Sequence, residues 1–160
     1  MSPTANSPFI RLADRADVPQ LAQLYYETVI RNGAQHYTEA QIQAWASFAQ
    51  NETAFAQFFE AVTTFVREAN GDMLGFAGIA ADGHVTAIYV RGDRLGQGIG
   101  SQLMETLLQY AAAQGLHRLY AEASKFSVGL FLKFGFQQFD TEVVDRHGVQ
   151  FRRYLMERLS

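Results

Sequence analysis

Residues 85–104 read VTAIYVRGDRLGQGIGSQLM, an apolar run followed by Gly96, Gly98 and Gly100. A helix opening inside such a run leaves its first N–H groups without intrahelical partners, and the macrodipole adds partial positive charge there. Residues without Cβ let a ligand approach the backbone closely. Together these features suit phosphate oxygens. Arg91 and Arg94 add basic charge beside the turn, so a pyrophosphate is its natural guest. A ligand-free strand-to-helix turn needs one or two glycines. Each further one costs up to about 1 kcal/mol relative to Ala, so three alternate glycines favour a bound ligand.

The pattern excludes two common phosphate sites. A P-loop requires G-x-x-x-x-G-K-[ST], which is absent. A dinucleotide fingerprint requires G-x-G-x-x-G or A, but Gly96 and Gly98 are followed by Ser101. Glu122 ends the next strand, where a ribose-binding acid would sit. The run nevertheless follows an antiparallel meander rather than the first strand of a parallel sheet. A nicotinamide-dependent oxidoreductase is disfavoured on both counts. The four histidines show no ligand spacing, so no metal is expected.

The elements that must position this turn follow from hydrophobic period. Residues 9–13 read as a strand, with Asp14 and Asp17 as helix caps and Pro19 in the first helical turn. Val18, Leu21, Tyr25 and Val29 form a helical stripe that Gly33 stops. Thr38 caps a second helix with Ile42, Trp45, Phe48 and Ala49 on one face, and 52–60 continues with Phe55, Phe58 and Phe59. The period then drops to two. Residues 62–69, 73–81 and 84–90 make a meander joined by Asn70-Gly71-Asp72 and Asp82-Gly83 turns. The long helix after Gly96 ends at Gly115. A strand over 117–123, a short helix over 126–134 and a hairpin of 136–143 with 149–157 complete the chain. The expected fold is α/β: a mixed, largely antiparallel twisted sheet of about seven strands with helices on both faces.

Composition bounds the rest. At 160 residues and 48% hydrophobic, 9–160 suits a single domain, with 1–8 as a flexible Ser- and Pro-rich tail. The net charge of −3 argues against a nucleic-acid partner. Cysteine is absent, which removes disulfides and a thiol nucleophile and fits a reducing compartment. No run approaches the about 18 apolar residues of a membrane helix, and MSPTANSPF is no signal peptide. No membrane partner and a cytoplasmic location are the expectations.

The glycine turn after Ala-Ile-Tyr-Val (87–90), together with SVGLFLKFGF (127–136), resembles the GNAT N-acetyltransferase superfamily over 9–158. In that family an apolar strand precedes Arg or Gln-x-x-Gly-x-Gly or Ala, and a later short helix ends in Gly-Phe. The resemblance implies acetyl-CoA as donor substrate. Its pyrophosphate would rest on the N–H groups of Leu95, Gly96, Gln97, Gly98, Ile99, Gly100 and Ser101. Its pantetheine arm would pair with the open edge of Ile88, Tyr89 and Val90. Ser124 and Phe131 join this donor site on the same resemblance. Two departures stand out. The family's Arg or Gln falls at Leu95, with Arg94 one place early. The Tyr that protonates the leaving thiolate in many members is replaced by Phe131.

Acetylating an amine requires a base and a stabilised oxyanion. The resemblance assigns the oxyanion to the Val90 or Tyr89 amide. It places His84 where some members carry a general base, and an imidazole titrating near about 6.5 suits that role. The competing reading of His84 is a hairpin-flank residue beside Asp82-Gly83. Glu122 is a second candidate base or a solvated strand end, and Glu142 on the closing hairpin is a third, acceptor-side option. Tyr89 and Ser124 are candidates for the missing acid, with helix capping as the alternative for Ser124. The thiolate also suits departure with a proton from water. His36 and Tyr37 lie in the loop that usually walls the acceptor site, and an aromatic wall holds an amine by cation–π contact. Trp45 reads instead as core. A small-molecule or peptide amine is the implied acceptor. Many members form homodimers, with the closing hairpin as an available surface. A non-catalytic acyl-CoA-binding module is the alternative that Phe131 motivates.

Overall fold

A computed structural model describes residues 9–94 and 96–160. The expected tail, 1–8, and Leu95 lie outside the described residues. The strands are β1 (Phe9–Leu12), β2 (Thr63–Ala69), β3 (Asp72–Ile79), β4 (Val85–Val90), β5 (Arg118–Ala123), β6 (Gln137–Arg146) and β7 (Val149–Leu159). The helices are α1 (Val18–Gly33), α2 (Glu39–Gln50), α3 (Glu52–Glu60), α4 (Ile99–Ala113) and α5 (Val128–Lys133). The mixed sheet is realised as two antiparallel sheets, ordered β1-β2-β3-β4 and β5-β7-β6. Among the described residues a single parallel bridge, His84 to Tyr120, joins them.

Helices cover both faces. Leu103, Met104 and Leu107 of α4 and Phe131 of α5 pack with Ala77, Ile79, Ala121 and Met156 on one side. Leu21, Tyr25 and Val29 of α1, Ile42 and Ala46 of α2, and Phe55 and Phe59 of α3 pack with Val66 and Phe76 on the other. Among the described residues no helix is long and apolar enough to cross a membrane.

The local signals act as elementary chemistry requires, with a few revisions. Thr38 and Gln41 form a reciprocal capping box at the start of α2. Asp14 caps a short 3-10 turn, whereas Asp17 makes no side-chain cap for α1. Its carboxylate is spent on Arg11 at 2.8 Å. Gly33 is the last residue of α1 rather than its stop. A Cβ there would lie 2.6 Å from Ile42, so the residue lets α1 and α2 approach. β6 runs three residues past 143 because the Arg146–Val149 pair continues its ladder with β7.

One irregularity shapes the site. Gly78 pairs with Ala87 but Ile79 pairs with Val85, so Thr86 is an extra residue in β4. Such a bulge inverts the alternation of side chains. Val85 therefore faces the α4 side, while Ala87 and Tyr89 face the α1–α3 side.

Candidate active site

The donor half is built from backbone. Gly96 and Gly98 both have φ +80°, a left-handed conformation that suits glycine, and the space about each missing Cβ is open to 4 Å. Gly98 precedes α4, and the first bond of the helix is Gln102 N–H to the Gly98 carbonyl at 3.0 Å. The N–H groups of Ile99, Gly100 and Ser101 thus lie ahead of the helical ladder. Lys133 of α5 reaches over this terminus and donates to Ser101 Oγ at 2.9 Å. Arg91, in contrast, is paired with Asp93 at 2.6 Å, which offsets its charge. The geometry fits a phosphate group: open space, left-handed glycines, free amides and one lysine.

The strand edge has a definite polarity. Arg91 N–H bonds the Leu74 carbonyl at 2.8 Å, continuing the register that pairs Val90 with Gly75. Antiparallel ladders alternate, so the Tyr89 amide is spent on β3 while those of Ile88 and Val90 face the gap toward β5. Of the two amides expected for the oxyanion, that of Val90 faces the gap and that of Tyr89 is spent on β3.

The second half is built from side chains. The Asp82-Gly83 turn presses against the start of β5. Tyr120 N–H bonds the Gly83 carbonyl at 3.1 Å. Gly83 has φ +98°, and a Cβ would lie 2.2 Å from the Arg118 carbonyl oxygen. Only glycine admits this contact, which sets His84 beside β5. His84 Nε2 lies 2.5 Å from Glu122 Oε2. The imidazole stacks on the Tyr120 ring at 4.7 Å with planes 3° apart. Tyr120 donates to Asp82 Oδ2 at 2.5 Å, and Asp82 Oδ1 accepts the His84 amide at 3.1 Å. The His84 hydrogen bond holds the Glu122 carboxyl below its ordinary range, against a smaller opposing effect of burial. Asp82 is lowered likewise, first by Tyr120 and then by the His84 amide.

The candidate acids sit elsewhere. Phe131 is 2% exposed and packs edge-on against Phe136, so it belongs to the core rather than to the donor cleft. Tyr89 stacks on Phe76 under α1 and α2, and its hydroxyl accepts the Trp45 Nε1–H at 3.3 Å. Burial pushes that hydroxyl up to about 12. Ser124 Oγ accepts the amides of Phe126 and Ser127, both at 3.2 Å, and so shapes the entry to α5.

The expected acceptor wall exists as an aromatic cluster. Tyr37 packs on Trp45 at 5.2 Å, Phe126 at 5.8 Å and Phe151 at 6.1 Å. His36 meets Phe126 edge-on at 5.2 Å. The Lys125 amide donates to the Tyr37 hydroxyl at 3.1 Å, and the Lys125 ammonium lies 5.6 Å from the same ring. Trp45 is partly buried and shared between this cluster and the core. Glu142 forms a close ion pair with Arg153 across the β6–β7 ladder. Among the described residues no group of three or more His, Asp or Glu gathers as a metal site.

Comparison with known proteins fixes the family. A family model, the acetyltransferase (GNAT) domain, matches residues 33–158. The chain belongs to the GNAT acetyltransferase family. The L-methionine sulfoximine/L-methionine sulfone acetyltransferase of Pseudomonas aeruginosa is 30% identical over 142 residues, covering 82% of this chain and 81% of that protein. A GCN5-related N-acetyltransferase structure from Rhodopseudomonas palustris superposes with TM-score 0.91 at 26% identity, covering 100% of this chain and 99% of its own. The Salmonella typhimurium protein yncA, solved with acetyl-CoA, shares the fold at TM-score 0.73 and 22% identity, over 96% and 94% of the two chains. The protein is thus an N-acetyltransferase of the GNAT family.

Sequence reasoning on this GNAT chain singled out His84 and Glu122 separately, and the structure brings them into contact. It missed Asp82 and Tyr120 as partners of His84, and Phe126, Phe151 and Lys125 in the aromatic cluster. The Asp82-Gly83 turn was visible as a turn only. The alternation that puts Phe151 and Arg153 on one face of β7 was the available signal for the hairpin's share.

Proposed function

We propose that the protein transfers the acetyl group of acetyl-CoA to the primary amine of a small molecule or peptide, with free α-amino acids as the first class to test. The observation that carries this reading is the 2.5 Å His84–Glu122 pair beside the gap between β4 and β5, on the strand that leads into the glycine turn. In this reading the pyrophosphate rests on the amides of residues 96–101, and Lys133 supplies the nearby positive charge. The pantetheine arm pairs with the Ile88 and Val90 edge. The acceptor ammonium gives up one proton to the His84–Glu122 pair, directly or through a water. The neutral nitrogen attacks the thioester carbonyl, whose developing negative oxygen meets the Val90 amide. The C–N bond forms and the C–S bond breaks, the nitrogen sheds its second proton to water as the amide is made, and the thiolate takes one proton from water. Phe131 leaves no tyrosine at the family's usual acid position, and thiolate is a good leaving group.

The Pseudomonas relative, named for acetylating two methionine derivatives, supports an amino-acid acceptor. Arg153 lies two residues along β7 from Leu155, the ladder partner of Glu122, and its charge is paired with Glu142. A non-catalytic acyl-CoA module is disfavoured, because the relatives are named for acetyl transfer. The test is thiol release from acetyl-CoA across amines, amino acids and short peptides, with methionine sulfone and sulfoximine included. Turnover that His84→Ala abolishes supports the reading. Tight acetyl-CoA binding with no turnover on any amine would refute it in favour of the binding module.

A further inference from the structure

We propose that Asp82 and Tyr120 form a clamp that positions His84 for proton transfer, a role that rests on His84 acting as the base. The two oxygens of Asp82 link the two residues on either side of the imidazole's mount: one accepts the His84 amide at 3.1 Å, the other the Tyr120 hydroxyl at 2.5 Å. The Tyr120 ring in turn lies parallel to the imidazole at 4.7 Å and 3°. The Ala80 amide bonds the His84 carbonyl at 2.8 Å, so the main chain is held as well. The imidazole then keeps its two side-chain torsions, and the stack together with the Glu122 contact restrains them. Nε2 is turned onto Glu122, which leaves Nδ1 as the open lone pair of a neutral ring carrying its proton on Nε2. Ordering a base within a fraction of an ångström is the kind of supporting contact that sets rate rather than affinity.

The charged groups around His84 are few. Glu122 and Asp82 face it directly. Arg118 lies over the Tyr120 ring at 4.9 Å and is tied to Glu157 at 3.0 Å. Arg153 acts on Glu122 from the hairpin.

The experiment compares Tyr120→Phe, which keeps the stack and removes the hydroxyl, with Asp82→Asn, Tyr120→Leu and His84→Ala. Thiol-release kinetics are recorded over pH, and the histidine ring 15N resonances report the tautomer independently of turnover. His84 is assigned by the signals lost in His84→Ala. The clamp predicts a fall in kcat of about tenfold in Tyr120→Leu and Asp82→Asn, with a smaller loss in Tyr120→Phe and an unchanged KM for acetyl-CoA. It also predicts loss of the single Nε2–H tautomer in Tyr120→Leu. Variants that lose thermal stability yet keep the wild-type tautomer and kcat would overturn the clamp while His84→Ala remains impaired. Full activity in His84→Ala would overturn the base itself, and the clamp with it.

Discussion

The two halves of the site are made of different material. The donor half is backbone: left-handed Gly96 and Gly98, the free amides at the start of α4, and the Ile88–Val90 edge. The proposed acid–base half is side chains: His84, Glu122, Asp82 and Tyr120, joined across 38 positions of sequence. A backbone site tolerates side-chain drift, because amides are present whatever residue carries them. The proposed phosphate cradle, being made of amides, does not call for a particular side chain at position 95, where the family carries Arg or Gln and this chain Leu. A side-chain site has no such tolerance. Losing one member leaves its partners misplaced or buried without a bond.

Substitutions that strike one half only would sharpen or break this contrast. The largest effect is expected from His84→Ala, which should lower kcat by about 100- to 1,000-fold with little change in KM for acetyl-CoA, measured by thiol release. A comparable rise in KM for acetyl-CoA would show that the halves are not separate. Gly83→Ala should come next, because its Cβ meets the Arg118 carbonyl oxygen at 2.2 Å in a left-handed backbone. A loss of about 2–3 kcal/mol in denaturant unfolding is expected, together with reduced kcat as His84 shifts.

Gly98→Ala tests the backbone half. Space is open there, so strain at φ +80° is the main cost, about 1–2 kcal/mol. Calorimetry should show acetyl-CoA affinity weakened by about tenfold, while kcat at saturation stays near wild type. The smallest effect is a pH dependence. Glu122 is favoured in its ionised form by the fold, so its contribution to stability is present above the ordinary carboxylate range. That contribution fades as pH falls through the lowered pKa. Glu122→Gln should therefore lower Tm at neutral pH and leave it unchanged in acid.

Local chemistry was legible where a signal sits within a few residues. The capping box of Thr38 and Gln41, the turns at Asn70-Gly71 and Asp82-Gly83, and the glycine run before α4 all read directly from the chain. Side-chain alternation was less safe. The bulge at Thr86 reverses it within β4, which sends Tyr89 under α1 and α2 and away from the donor gap. Phe131 read as a cleft residue because its position matches a family tyrosine, but its face of α5 is apolar and packs on Phe136. Nothing local distinguishes a helix face that meets a ligand from one that meets the core.

The sequence by itself determined the order of elements, the glycine turn before α4 and the family, since each depends on propensity, glycine freedom or spacing along a contiguous stretch. Tertiary structure alone decided which side chains meet. The close approach of Gly83 to Arg118 sets where β4 touches β5, and that contact places His84 on Glu122 and under Tyr120. The physical reason is range: backbone conformation is settled by neighbours in sequence, whereas a hydrogen-bonded pair 38 residues apart is settled by how two sheets are joined.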